Sequence, residues 1–367
     1  MSPNITNLSK EQDILLFTLS GVNVSIANGL RRIIASDIPT VVFKTTPYEE
    51  NKTNIIVNTS RFNNEIVKHR LSCIPIHIKD LEMPLSNYIV ELNVENNTDT
   101  IMYVTTEHFK IKNEDTNTYL NETDTRAIFP PNPITGYYID FLRLRPKISD
   151  DIPGEKIHLR SKLSISTAKV DGAFNVASTL SYGFTQDKIN IELEVIKKKQ
   201  EWKDQGMTKE EIIFQEKNWR ILDAQRIIIK DSFDFKVESV GVYTNEELVK
   251  NACKILINRL QLFGNSIKSF EIKKSINTMN NSYDVLLENE DYTLGKIIEY
   301  FLYSKYYESL KTLTFCGFKK THPHDPKSSI IRVAYMKDVT VDNIRRDLES
   351  CVVDAIDIYK QIDSKFV

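Results

Sequence analysis

At 367 residues, 41% hydrophobic and 27% charged, the chain has the makeup of an ordinary globular protein, with length for two or three domains. A formal net charge of −2 argues against a protein whose main task is gripping phosphate backbones. The first residues lack a charged segment followed by an apolar one, and apolar runs such as Ile14 to Phe17 are too short to span a bilayer, so neither a secretory signal nor a membrane anchor is expected.

The first predicted pair is a strand from Asp13 to Leu19 and a helix from about Val24 to Asp37. Asn23 is its expected N-cap, and Pro39 ends it by driving the preceding residue out of the helical region. At about 100° per residue, Ile26, Leu30, Ile33 and Ile34 share one face, with Asn28, Arg31 and Arg32 on the opposite side. Residues 44–177 change texture, with many Asn, Thr and β-branched residues. Strands are expected at Tyr88–Val94 and Ile101–Thr105, and Phe129 to Gly136 is rich in turn residues, so this insert reads as a small β-rich domain. The charged stretch from Lys197 to Lys217 reads as a solvent-facing helix or loop.

A strand from Phe233 to Val240 leads to Thr244-Asn-Glu-Glu247, a capping-box pattern that opens a helix to Phe263. Its apolar positions are Leu248, Val249, Ala252, Leu256, Leu260 and Phe263. After a short join around Gly264 to Lys268, a strand at Tyr283–Leu287 precedes a helix from Leu294 to about Tyr303. Glu290 and Asp291 sit at that helix's positive end, and Ile297, Ile298, Phe301 and Leu302 share a face. A strand at Ile330–Tyr335 feeds a last helix from Val341 to Ile362. There Val341, Ile344, Leu348, Cys351, Ala355, Ile358 and Ile362 repeat by threes and fours, the narrow seam that helix-on-helix packing requires.

Strand–helix followed by strand–turn–helix thus occurs twice, a duplication of architecture with little duplication of sequence. The expected fold class is α+β. Residues 10–43 with 178–267 form one dimerisation domain, 44–177 the inserted β-rich domain, and 268–367 a second dimerisation domain packed on the first as an intramolecular pseudo-dimer.

The four cysteines, Cys73, Cys253, Cys316 and Cys351, are too far apart for a zinc ribbon or a redox pair and read as isolated buried thiols in a reducing compartment. No nucleophile elbow, phosphate-cradling loop or metalloprotease motif occurs, and only 11 glycines are present, so the chain is expected to be inert alone.

Several segments resemble the RNA polymerase alpha family, which includes bacterial alpha, the archaeal D subunit and the third subunit of eukaryotic polymerase II. Val24-Ser-Ile-Ala-Asn-Gly-Leu-Arg-Arg-Ile-Ile-Ala-Ser-Asp-Ile-Pro-Thr40 resembles the family's first helix. Glu65-Ile-Val-Lys-His-Arg-Leu-Ser-Cys-Ile-Pro-Ile76 and Phe235-Lys-Val-Glu-Ser-Val-Gly-Val-Tyr-Thr-Asn-Glu-Glu-Leu248 resemble later segments. Glu290-Asp-Tyr-Thr-Leu-Gly-Lys296 and Phe315-Cys-Gly-Phe-Lys-Lys-Thr-His-Pro-His324 are similar to the family's small partner, the archaeal L and eukaryotic eleventh subunit. Tyr292 and Lys296 replace the usual histidine and asparagine, and Lys162 to Gly172 only loosely matches the family's basic loop. With Cys73 alone in the insert, the zinc loop of some relatives is expected to be absent. The fused order is similar to that of nucleocytoplasmic large DNA viruses.

The resemblance implies a non-catalytic assembly subunit of a multisubunit DNA-dependent RNA polymerase. Its partners would be the beta-like and beta-prime-like subunits and small assembly subunits, with DNA and RNA touched only indirectly and no membrane. It implies no cofactor in this chain, the polymerase's magnesium belonging to the large subunits. It also implies an infected host cell's cytoplasm and the virion as location if viral, otherwise the nucleus.

For partner binding it nominates Asn28, Arg31, Arg32, His69 and Arg70. An anonymous Arg-Arg pair reads as a solvated face, and only the surrounding motif reverses that. Reversing both charges at Arg31 and Arg32 is expected to leave the fold intact. For the intramolecular interface it nominates Ile26, Leu30, Ile33, Leu256, Leu260, Leu294, Ile298, Leu348, Val352 and Ala355. Structural roles are assigned to Thr293 as a helix cap, to Leu294 in the core, to Gly295 for close approach to backbone, and to Gly317 at a turn or bulge. His322 and His324 read as a packing loop, a metal pair wanting a third ligand.

The main alternative is a nucleic-acid-binding protein using the β-rich insert, although Phe109, Tyr119, Tyr137 and Tyr138 are not interleaved with many lysines. An enzyme of unknown type would need a pocket of convergent titratable groups, to which no sequence feature points.

Overall fold

The computed structural model describes residues 2–149, 152–276, 279–322 and 328–366. A hairpin of β1 (Asn4–Glu11) and β2 (Ile14–Ser20) leads into α1 (Val24–Ser36). Then come β3 (Thr40–Phe43), β4 (Thr53–Asn58), α2 (Asn64–Ser72), β5 (Tyr88–Glu95), β6 (Met102–Thr105), β7 (Lys110–Asn113) and β8 (Thr118–Tyr119). After α3 (Glu122–Ile128) follow β9 (Asp140–Leu144), β10 (Lys156–Ser166) and β11 (Ala177–Gln186). The helices α4 (Lys188–Asp204) and α5 (Lys209–Ile221) precede β12 (Ile228–Ser239) and α6 (Asn245–Ser266). The last part holds β13 (Ile272–Lys274), β14 (Ser282–Glu288), α7 (Tyr292–Leu302), β15 (Leu313–Lys320), β16 (Ser328–Tyr335) and α8 (Val341–Asp363). The fold is a mixed α/β one with several antiparallel sheets.

The chain divides into two compact units. One comprises Met1–Ile33, Thr179–Glu238 and Val249–Val367, and the other Ile34–Ser178 with Ser239–Leu248. The first contains two four-stranded sheets, ordered β1-β2-β12-β11 and β13-β14-β16-β15. In the former, Phe17 of β2 lies opposite Phe235 of β12 and their rings stack at 4.9 Å. In the latter, Asp284 of β14 lies opposite Arg332 of β16, which grips it with two bonds of 2.6 and 2.7 Å. That bidentate pairing holds the Asp284 carboxyl below its ordinary range.

The helices start where their capping chemistry dictates. Asn23 Oδ1 accepts from the Ser25 amide at 2.9 Å. Ahead of α6, the Thr244 amide donates to Glu247 at 2.7 Å and the Glu247 amide to the Thr244 hydroxyl at 3.2 Å, a reciprocal capping box. The structure corrects the capping role given to Thr293: Asp291 caps α7, accepting from the Thr293 amide at 2.8 Å. Gly295 meets the Phe318 ring rather than backbone, since a Cβ there would overlap it. Gly317 sits in regular register opposite Arg332, and the bulge in β15 falls between Leu313 and Phe315 instead.

The stretch from Lys197 to Lys217 belongs to the helical hairpin of α4 and α5, which begins already at Lys188. Ile191, Val195 and Ala224 make its small core, and Arg220 bridges Glu192 and Glu216 beside it. Strand β1 was not foreseen, because its side chains are almost all exposed and carry no apolar alternation. Not all thiols are buried: Cys73 is exposed and Cys316 half-buried, whereas Cys253 and Cys351 are enclosed.

The second unit is built on β10, the long central strand of a sheet ordered β3-β10-β5-β7-β8, with β4 also paired to β10. A separate ladder joins β6 to β9. Between these strands lies an aromatic core in which Phe109 packs edge-on against Phe43, Phe129 and Phe141, at 6.3, 5.2 and 5.7 Å. Among the described residues, no helix is long and apolar enough to cross a membrane.

Candidate functional site

The first compact unit brings α1, α7 and α8 together. Ile26, Leu30 and Ile33 of α1 are fully buried, as are Leu256 and Leu260 of α6, Leu294 and Ile298 of α7, and Leu348 and Ala355 of α8; Val352 is 4% exposed. Helix α8 reaches α1 directly. The hydroxyl of Tyr359, itself fully buried, donates to the Ile26 carbonyl at 3.2 Å. Gly29 makes that approach possible, because a Cβ there would stand 2.8 Å from the Tyr359 oxygen and 2.9 Å from Ile297 Cδ1. A similar closeness brings Gly264 of α6 to Val352, and Phe17 packs edge-on against Phe366 at 5.1 Å. Gly29 and Tyr359 escaped the sequence reading, which followed aliphatic spacing. The available signal was a glycine in a helix interior, where it persists only for a packing reason.

The polar side of α1 divides in two. Arg31 turns back along its own helix, its Nε and Nη2 both donating to Asn28 Oδ1 at 3.1 Å. This pair stays half-exposed, with no carboxylate on Arg31 among the described residues. Arg32 does not share that outward platform. Its Nε donates to Thr293 Oγ1 at 2.7 Å and its Nη2 approaches Asp291 Oδ2 at 3.4 Å, tying α1 to the start of α7. Arg259 of α6 adds a parallel link, 3.0 Å from Glu290. Burial pushes the Asp291 carboxyl up, but the Thr293 amide and hydroxyl and the charges of Arg32 and Arg259 outweigh it, leaving the group below its ordinary range. A glutamate at position 32 would lose the Thr293 bond and face Asp291 at close range, so reversal at Arg32 carries a stability cost that reversal at Arg31 does not.

His69 and Arg70 lie on α2 in the other compact unit, where Asn63 caps the helix by accepting from the Ile66 amide at 2.9 Å. His69 is exposed. Arg70 is largely spoken for, its Nε donating to the Phe141 carbonyl at 2.6 Å and its Nη2 to that of Asp140 at 2.9 Å. It clamps α2 to β9 and packs on the Phe62 ring at 5.6 Å. Among the described residues, no three His, Cys, Asp or Glu side chains gather as a metal site; His324 lies outside those residues.

The profile of the family described as "RNA polymerase Rpb3/Rpb11 dimerisation domain" matches residues 16–260. The chain is 27% identical over 300 residues to "DNA-directed RNA polymerases I and III subunit rpac1" of Dictyostelium discoideum, covering 72% of this chain and 81% of that protein. It is 25% identical over 287 residues to "DNA-directed RNA polymerase subunit Rpo3" of Pyrococcus horikoshii, covering 71% of this chain and 96% of that one. A similar likeness, 25% over 296 residues, holds for the RPAC1 subunit of Bos taurus, covering 69% and 81%. With residues 16–260 matched and the buried helical seams described above, the chain belongs to the RNA polymerase Rpb3/Rpb11 dimerisation-domain family.

Proposed function

We propose that this chain is an assembly scaffold in which a third-subunit-like half (residues 10–43 and 178–267) and an eleventh-subunit-like half (268–367) form a pseudo-dimer within one polypeptide, residues 44–177 being the insert. The chain is a non-catalytic subunit of a DNA-directed RNA polymerase. The observation that carries the pseudo-dimer is the packing of α1 against α7 and α8, through Gly29, Tyr359 and the Arg32–Thr293 bond. Covalent fusion sets an effective concentration on the order of millimolar between the halves and fixes their one-to-one ratio. The two large catalytic subunits dock on this scaffold, and the magnesium chemistry resides in them.

Within this reading Asn28 and Arg31 face the beta-like subunit, the half-exposed guanidinium offering a fork for a carboxylate or carbonyl. His69 is a second contact, while Arg32 and Arg70 act mainly by holding their own elements in place. The fused order supports a viral origin, hence an infected cell's cytoplasm and the virion, with the nucleus as the alternative site. Purifying the tagged chain from its native setting tests the proposal. Two large polymerase chains should co-purify with it, and Arg31→Glu should release the beta-like one. Recovery of the chain alone, or with nucleic acid and no large subunits, overturns it.

A further inference from the structure

The ladder of β6 and β9 carries an arginine–tyrosine surface that the scaffold role leaves unused. Tyr103 and Arg143 are cross-strand partners, and the Arg143 guanidinium stacks on the Tyr103 ring at 4.6 Å. Beside them is a hollow of about 300 Å³ lined by Arg61, Phe62, Arg70, Asp140, Leu142 and Arg143. Three arginines and a single acid thus line one small hollow. Arg70 is engaged by the carbonyls of Asp140 and Phe141, but neither Arg61 nor Arg143 has a carboxylate partner among the described residues. A second hollow, of about 590 Å³, shares Asp140 with the first and is walled by Tyr103, Tyr137 and Tyr138. Tyr137 is 79% exposed.

The planar fork of a guanidinium matches a carboxylate in bidentate fashion, and Arg61 and Arg143 hold theirs exposed. Arginine and tyrosine around a buried leucine is also the composition of binding hot spots rather than of a solvated face. A phosphate backbone fits less well. It needs a continued basic track, whereas the second hollow is lined by Glu107 and Asp140 and contains no lysine or arginine. We propose that the arginine-lined hollow binds a short acidic segment of a protein, whose footprint leaves out the tyrosine-walled hollow with its Glu107 and Asp140. Its carboxylates pair with Arg61 and Arg143, and an apolar side chain rests on Phe62 and Leu142. All of these residues lie in one compact unit, and the inference does not rest on the scaffold reading.

The test uses the full chain and a short fluorescent peptide of alternating glutamate and leucine, followed by anisotropy. Binding should weaken about tenfold or more in Arg61→Glu with Arg143→Glu, and severalfold in Arg143→Lys, which keeps charge but loses the fork. Thermal melting of Arg61→Glu should be unchanged, because that arginine holds no carboxylate among the described residues; Arg143 also stacks on Tyr103, so if the double variant melts early, Arg61→Glu alone is read. A glutamine version of the peptide should not bind. Equal binding by the double variant or by the glutamine peptide overturns the proposal. So does an oligothymidine that displaces the peptide and binds more tightly, which would assign the surface to nucleic acid.

Discussion

Arg32 and Thr293, 261 positions apart in the chain, are joined by a 2.7 Å hydrogen bond that anchors α1 to the first turn of α7. Among the described residues the neighbouring Arg31 makes no such link and bonds to Asn28 on its own helix. The two arginines should therefore respond differently to the same change. Arg32→Glu replaces a charge-assisted bond with repulsion from Asp291. It should lower stability by roughly 1–2 kcal/mol, the partial exposure of the pair (41% and 28%) damping the effect. Arg31→Glu should leave the melting temperature within about a degree while reducing recovery of the beta-like subunit. Thermal denaturation and co-purification of both variants check this, and equal melting temperatures would remove the division of labour.

Gly29 is a point of close approach between α1 and both α7 and α8. Gly29→Val would press its side chain into the Tyr359 hydroxyl and Ile297, both buried, and overpacking of this kind costs roughly 1–3 kcal/mol. Tyr359→Phe should be milder, on the order of 1 kcal/mol, since it removes one bond to a carbonyl that already serves the helix. Chemical denaturation of the two variants should rank them in that order. A valine variant as stable as the parent would mean that α1 and α8 do not close on each other.

How much of this was legible in advance depends on what kind of pattern carried it. Helices α1, α6 and α8 could be placed because aliphatic residues at helical spacing report a buried face, and Thr244 and Glu247 announced a start by their own chemistry. Periodicity says that a face is buried but not what covers it. Arg32 looked like a platform residue because its partners, Asp291 and Thr293, come from another part of the chain. Thr293 looked like a cap for the same reason, its hydroxyl being taken by Arg32. Strand β1 left no trace because an exposed edge strand needs no apolar alternation, only a neighbour to pair with. The arginines of the second compact unit were invisible as a group, since Arg61, Arg70 and Arg143 come from separate parts of the chain and line one hollow only in the fold.

The proposed pseudo-dimer predicts that cutting the chain between residues 267 and 268 separates its two halves. Residues 268–367 expressed alone would uncover Ile297, Val352, Tyr359 and Phe366, which in the intact chain meet Gly29, Gly264, the Ile26 carbonyl and Phe17. That piece should self-associate or aggregate, and co-expression with residues 1–267 should yield a one-to-one complex. Light scattering after size-exclusion chromatography distinguishes the outcomes. A stable, monomeric C-terminal piece would show that its helices find their partners within itself.

The second compact unit should carry its own acid sensitivity, centred on Glu91. Burial pushes this carboxyl up, but three donors overcome it: the hydroxyl of Tyr119, Arg160 Nε at 2.8 Å and His158 Nε2 at 3.1 Å. The balance holds its pKa at about 2, against an ordinary 4.5. A carboxyl depressed in the folded state binds its proton more readily when unfolded. Its contribution to stability is complete above the unfolded value and is lost as pH falls from about 4.5 towards about 2. Glu91→Gln keeps the shape and removes the charge. At pH 7 the variant should be less stable by on the order of 2 kcal/mol, as expected for a buried charged acceptor with several donors. The gap in melting temperature between parent and variant should narrow steadily below pH 4.5, because the unfolded parent takes up a proton there that the folded carboxylate refuses until about pH 2. A gap that persists undiminished at pH 3 would place the acid sensitivity elsewhere, the Asp284–Arg332 pair of the other unit being the next carboxylate to substitute.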